Sequence, residues 1–503
     1  MMAGAVLHLA QIETAANTQP RGPRPLRSVA RFAFKFALAA AASASLVGCG
    51  NTYRPVVTAI NPVGPAGQPT KYAIAISTTG PTTPGLVTFV DFSGDTVLIT
   101  SNVGADPYYL ALDGSGVSSA GTFNTAANGF ILNRDTSVNK FPISTSLISS
   151  QILQTTLLSG ANPVSIIPNG VYTYIPQAGR NSIATLTTST AGDLVLNQEF
   201  PVNNPGYVVG VTNAPRVYAL GQDPSGNGQV TTIETASNTP DKNLIPVGKN
   251  PVYGVMTADT KRVFIMNKGD STVSVINAQT NQLDAIPSPA TNPIALGAGT
   301  APLWADFAPT RNELIVANAG PDASSNGSVS IISIPLCSVT SLPTDPNCDP
   351  NNPVDAKGFG TILKTVPVGI NPVMVSVLQD GTRAYVANAG DPNLPCAPAP
   401  AVPGVSTVCS VSVINLDTNT VTATITGLPD NASQTSGTCT TASAPTLCGH
   451  PNWIVTTTGT PTGKVYVTSG DSTNMTVIRT DLDAVHTLVP LQGKGVAVRV
   501  TQP

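Results

Sequence analysis

The chain has 503 residues and a formal net charge of −3; 10% of it is charged and 41% apolar, and it holds 44 glycines and 45 prolines. Disorder needs low hydrophobicity with high net charge, so this composition argues against a disordered chain and for a large, turn-rich β core.

In chain order, five bases (Arg21, Arg24, Arg27, Arg31, Lys35) precede FALAAAASASLVGCG, an apolar run too short for a comfortable membrane span. That is the pattern of an export signal. Its end, Leu46-Val47-Gly48-Cys49, resembles the lipobox of bacterial lipoproteins. The resemblance implies that residues 1–48 are removed and that Cys49 carries the lipid. Small residues before the cut suit a peptidase pocket, and a thiol is the nucleophile that accepts a diacylglycerol; the plainer alternative is an ordinary cysteine behind a secretory signal. Residues 49–69 read as a tether and 70–503 as one β domain. Without residues 1–48 the chain keeps 19 basic and 26 acidic residues and has no basic run. Nucleic acid, which is bound by clustered cations, is therefore not an expected partner.

Beyond the tether one element keeps returning: GLVTFVD (85–91), NSIATLT (181–187), GQVTTIE (228–234), STVSVIN (271–277), GSVSIIS (327–333), CSVSVIN (409–415) and TNMTVIR (473–479), with VNKFPIS (138–144) a poorer match. Each alternates apolar and polar residues with period two, which predicts half-buried strands. A strand such as RVFIMN (262–267) or RAYVAN (383–388) precedes most of them, and a fourth, such as TILKTVPVG (361–369), closes the unit. Each unit opens after a proline turn, as in NPVYGVM (250–256) or APLWADF (301–307). Four short antiparallel strands per recurring unit predict an all-β fold, a β-propeller of four-stranded blades.

Seven units start near Pro107, Pro163, Pro205, Pro251, Pro302, Pro372 and Pro451. A lone C-terminal strand, GVAVRVT (495–501), and three N-terminal ones, KYAIAIS (71–77), LVTFVD (86–91) and TVLITSNV (96–103), complete a split blade. The count is then eight, with seven as the alternative if residues 107–160, where FILNRD departs from the signature, are an elaboration. A split blade ties the chain ends into one sheet and removes exposed edges.

Besides Cys49 the cysteines fall in three neighbouring couples, Cys337 with Cys348, Cys396 with Cys409, and Cys439 with Cys448. Six cysteines allow 15 pairings, and local bridging is the simplest, since each couple brackets a polar insertion; these lie near 335–360, 391–408 and 428–449. With no CxxC spacing, a metal site is not expected. The insertions are candidate binding loops on a rigid scaffold.

RAYVANAG, KVYVTSG and VPVGINP resemble the YVTN-repeat β-propeller family of exported and surface-layer prokaryotic proteins over roughly residues 70 to 500. The resemblance implies the fold and is nearly silent on function. Possible ligand contacts at the channel mouth are the turn residues His450, Asp106, Asn162, Asn204, Asn250 and Asn371, although turn chemistry alone accounts for them. Trp304 and Trp453 read either as an aromatic contact near the channel or, by default, as blade-core packing. No GxSxG elbow is present, no catalytic residue is assigned, and a lactonase-type hydrolase is supported by fold resemblance only. The expectation is a lipid-anchored, exported envelope module without a cofactor, touching the membrane only through its anchor. Its partners would be envelope proteins or an envelope polymer, and a structural surface-layer role is a further alternative.

Overall fold

The computed structural model describes residues 71–501, apart from 115, 118–122, 125, 145, 148, 309, 336–357, 431–438, 440–443 and 458–462. Cys49, Cys337, Cys348 and the insertion around 335–360 thus lie largely outside the described residues. Among those described, β-branched and aromatic residues fill short strands, and the only helical elements are two 3₁₀ turns, Ser149–Gln151 and Ala178–Arg180.

The strands form eight blades. From the axis outward, blade one runs Lys494–Val500, Tyr72–Thr78, Pro84–Asp91, Val97–Ala105, and blade two Pro107–Leu112, Asn128–Asn133, Ser137–Pro142, Leu153–Thr156. The inner strands of blades three to eight are Ile167–Asn169, Tyr207–Val209, Pro251–Met256, Pro302–Ala308, Pro372–Val377 and Pro451–Thr456. The inner strands of blades four to eight each touch the next, blade three meets blade four through its second strand Tyr172–Gln177, and Lys494–Val500 lies between the inner strands of blades eight and two, so the ring closes. The eight-blade count and the split blade are both realised: Ala73 pairs with Val500, Ile74 with Arg499 and Ala75 with Val498. Residues 107–160 are a full blade, in which FILN belongs to the second strand and Ser137–Pro142 is the third.

One expectation changes. The recurring strands are buried on both faces: in Thr272–Asn277 the four central residues, Ser274 included, are all buried. The polar alternates face an amide instead of water. Asn267 Nδ2 donates to Thr272 Oγ1 and Ser274 Oγ, Asn318 Nδ2 to Ser328 Oγ and Ser330 Oγ, and Asn388 Nδ2 to Ser410 Oγ and Ser412 Oγ. An asparagine ending the second strand therefore satisfies two hydroxyls on the third, which lets the blade be covered by its neighbours. Close packing follows: a Cβ added at Gly369 would lie 2.8 Å from the Asn388 amide.

The turns before the inner strands have a backbone reason of their own. Asp106, Asn162, Asn204, Asn250 and Asn371 have φ of 52°, 43°, 40°, 48° and 51°. Asn and Asp tolerate this left-handed region best among residues with a side chain.

Candidate functional site

The third positions of the opening segments, from turn to inner strand, hold most of those segments' large aromatic residues. Counting from the turn proline, or from Gly495 in the closing strand, the third positions are Tyr109, Ser165, Tyr207, Tyr253, Trp304, Met374, Trp453 and Ala497. Five of them form a closed circuit of rings. Tyr253 stacks on Trp304 with centroids 3.8 Å apart, Trp304 meets Trp453 at 5.4 Å, Trp453 meets Tyr109 at 5.7 Å, and Tyr207 meets Tyr253 at 4.9 Å. A 3.0 Å hydrogen bond between the hydroxyls of Tyr109 and Tyr207 completes it. Blades two, four, five, six and eight supply the rings, and the small Ser165 and Ala497 leave room for contacts that skip a blade. Burial, with Tyr109 close by, holds the hydroxyls of Tyr207 and Tyr253 well above the usual tyrosine range. Both sequence readings of Trp304 and Trp453 are seen: the two rings meet each other, and Trp453 is also a buried member of the hydrophobic core, against which Trp304 packs.

Beside this aromatic floor lies a cavity of about 840 Å³, walled by the inner strands of blades five to eight and one and by the hairpin turns that follow several of them. A volume of that size accommodates a small organic ligand. The fifth residues of the inner strands set its chemistry: in six blades they are Ala111, Ile167, Val209, Val255, Ser376 and Val455, but in blade six Asp306 and in blade one Arg499. Asp306 accepts hydrogen bonds from Phe307 N at 2.9 Å and Val377 N at 2.8 Å, tying blade six to blade seven. Burial raises its carboxyl to about 6, against the pull of those bonds and of Arg499. Arg499 lies 4.7 Å above the Trp453 ring, and its Nε donates to Leu110 O at 3.3 Å, tying blade one to blade two. Ser376 and Thr456 bond across blades seven and eight, with Thr456 Oγ1 donating to Val377 O. The wall is thus cross-braced and mostly apolar, with one acid and one base at the fifth positions of the inner strands.

None of the six turn residues named from the sequence lines this cavity. They stand at the start of the inner strands and make local bonds: Asn371 Nδ2 donates to Gly390 O, Asn250 accepts from Gln222, the amide N–H of Asn204 donates to Asn181, Asn162 accepts from Ala178 N through its carbonyl, and Asp106 accepts from Thr78. His450 bridges two segments, with Nδ1 2.8 Å from Asp471 Oδ2 and Nε2 2.9 Å from Leu394 O. The Asp471 bond outweighs burial and raises the imidazole above its ordinary value.

Cys396 is bonded to Cys409 and Cys439 to Cys448, as local pairing predicts; Cys337 and Cys348 lie outside the described residues. The ligand atoms of Cys396, Cys409 and His450 lie within 4.8 Å of one another, as do those of Asp430, Cys439 and Cys448. Each sulfur pair is joined as a disulfide, so the thiolates that a soft metal prefers are not free.

Sequence reasoning missed Asp306, Arg499 and the tyrosines of the floor. A signal was present: aligned on the turn proline, APLWADF and GVAVRVT carry a charge where the other opening strands carry an apolar or small residue.

No family model matches the chain, and no curated protein matches it. Solved structures do. Dihydro-heme d1 dehydrogenase NirN, solved in complex with DHE, is 11% identical over 85% of this chain and 74% of its own, with a TM-score of 0.52. Apo AztD from Citrobacter koseri is 11% identical over 86% of this chain and 97% of its own, with a TM-score of 0.51. A Bacteroides fragilis NCTC 9343 protein described as a candidate 6-phosphogluconolactonase is 15% identical over 71% of this chain and 95% of its own, at 0.45, a score that carries no further argument. At these identities the likeness extends to the fold alone, and the fold of this chain is that of an eight-bladed β-propeller.

Proposed function

We propose that this protein is an exported, lipid-anchored binding module of the bacterial cell envelope, a member of the YVTN-repeat type, whose rigid ring presents the axial cavity to a small ligand. The observation that carries the reading is the cavity itself, with its aromatic floor and, at the fifth positions of the inner strands, one acid and one base among uncharged residues. Few precisely placed polar groups in a largely apolar, preformed hollow are what a binding site needs. Among the described lining residues there is neither histidine nor cysteine, and both oxygens of Asp306 already accept backbone N–H groups. Binding therefore fits the lining better than the lactonase-type hydrolysis that remains its rival.

Export is supported by the two disulfides, which persist in oxidising compartments. The lipid anchor rests on the Leu46-Val47-Gly48-Cys49 sequence. Residues 391–408, the described insertion of blade seven, are the surface we assign to an envelope protein or polymer. Fractionation of cells making the wild-type chain and C49S tests the anchor. Wild type is expected with the membranes and C49S in the soluble exported fraction; identical partition of the two would overturn the anchored reading.

A further inference from the structure

Eight arginines fall among the described residues, and seven have a carboxylate within ion-pair distance: Arg134 with Asp106, Arg180 with Glu199, Arg216 with Glu234, Arg262 with Asp284, Arg311 with Glu313, Arg383 with Asp483 and Arg479 with Asp481. Arg499 is the exception. It is half-buried at the centre of the ring, it lines the cavity, and among the described residues only its Nε–H has a protein acceptor, Leu110 O. A guanidinium keeps its charge in any protein setting and carries five N–H donors in a planar fork. Withdrawing it from water without an anion is unfavourable. Here the Trp453 face fixes one side of the plane and the Leu110 carbonyl holds Nε, so the two terminal nitrogens are oriented and open to a ligand.

The surroundings narrow the anion. Arg499 is the only base among the described lining residues, which also include Asp259, Asp306 and Glu313. A doubly charged phosphate would meet one cation and three acids, whereas a carboxylate matches the fork with two parallel bonds and brings a single charge. Nearby, Tyr253, Trp304 and Met374 line the same cavity with flat and polarisable surface.

We propose that Arg499 is the anion receptor of the axial cavity and that the ligand is a small organic monocarboxylate with a flat apolar body laid against the aromatic floor. This rests on the axial cavity being the binding site. The carboxylate replaces the missing ion-pair partner of Arg499, and the apolar body displaces water from Tyr253 and Trp304.

The chain has just two tryptophans, Trp304 and Trp453, and both belong to the floor, so intrinsic emission reports on the site. Three probes of one shape distinguish the possibilities: biphenyl-4-carboxylate, the neutral biphenyl-4-carboxamide and the cationic biphenyl-4-methylammonium, each titrated into the mature wild-type protein. The carboxylate is expected to change the emission saturably and to bind about tenfold or more tighter than the carboxamide, the discrimination expected of a charge-assisted pair. In R499Q, checked for unchanged melting, the carboxylate is expected to lose its advantage and to bind no tighter than the carboxamide. The wild-type comparison needs no variant and decides the matter even if R499Q fails to fold. Equal or tighter binding of the carboxamide or the ammonium by wild type would overturn the anion assignment and leave the binding cavity standing. Silence towards all three probes would overturn both.

Discussion

At the scale of single residues, the repeat is explained by what Asn388 satisfies. Its amide serves two hydroxyls that the neighbouring blade seals from water, and both lose their donor in N388A. The substitution is expected to destabilise the protein by about 1–3 kcal/mol, read as a lower urea midpoint; an unchanged midpoint would mean that water replaces the amide. Asp306 makes a pH-dependent contribution of a definite sign. Its folded carboxyl, raised by burial to about 6, binds a proton that the unfolded chain has released from about 3.8 upward. The stability it adds is therefore complete below about 3.8 and is lost as pH rises to about 6, a change of roughly 3 kcal/mol at most. D306N gives up one backbone bond, so its absolute stability is uninformative, but between pH 4 and 7 wild type is expected to lose stability relative to D306N. A flat difference across that range would contradict the burial of this carboxyl. The period-two pattern of the strands was readable, yet it does not distinguish a hydroxyl facing water from one facing an amide. For that reason the alternation that includes Ser274, Ser330 and Ser412 predicts only half-buried strands.

At the scale of elements, proline turns, alternating runs and the split seam located nearly every strand, because those signals are local to the backbone. The aromatic floor was not locatable in the same way. Tyr109, Tyr207 and Trp453 are far apart in sequence and come from non-adjacent blades, and only ring closure brings them together. The insertions show a similar limit. Residues 391–408 were recognisable as a stapled loop from Cys396 and Cys409, but its attachment to the next blade through His450 was not. That imidazole gains protons on folding, since the Asp471 carboxylate and the Asp391 and Leu394 carbonyls all face its ring nitrogens. The stability it adds is complete below the ordinary histidine value and fades as pH rises through its higher folded value. Wild type is expected to soften from neutral to alkaline pH more than H450Q, with earlier hydrogen exchange in residues 391–397; equal pH profiles would rule out the clamp.

At the scale of the whole molecule, the closing strand does two things at once. Lys494–Val500 completes blade one through its ladder to Tyr72–Thr78, and it carries Arg499 into the cavity. The seam is locked from blade eight, where Lys464 Nζ lies 2.7 Å from the buried Asp95 Oδ2 and Tyr466 donates to Asp95 Oδ1. D95N leaves that ammonium without its charge partner and is expected to cost roughly 3–5 kcal/mol, with loss of the cavity's response to any probe at temperatures where the seam opens. A D95N protein as stable as wild type would mean that the ladder alone closes the ring.

The central claim, an anchored propeller holding a small acid at its axis, is tested most directly by native mass spectrometry of the protein extracted gently from the envelope, with R499Q alongside. The expected result is a chain beginning at a lipidated Cys49 that carries a small non-covalent ligand in wild type and loses it in R499Q. An unlipidated chain, or a ligand retained equally by R499Q, would contradict the account.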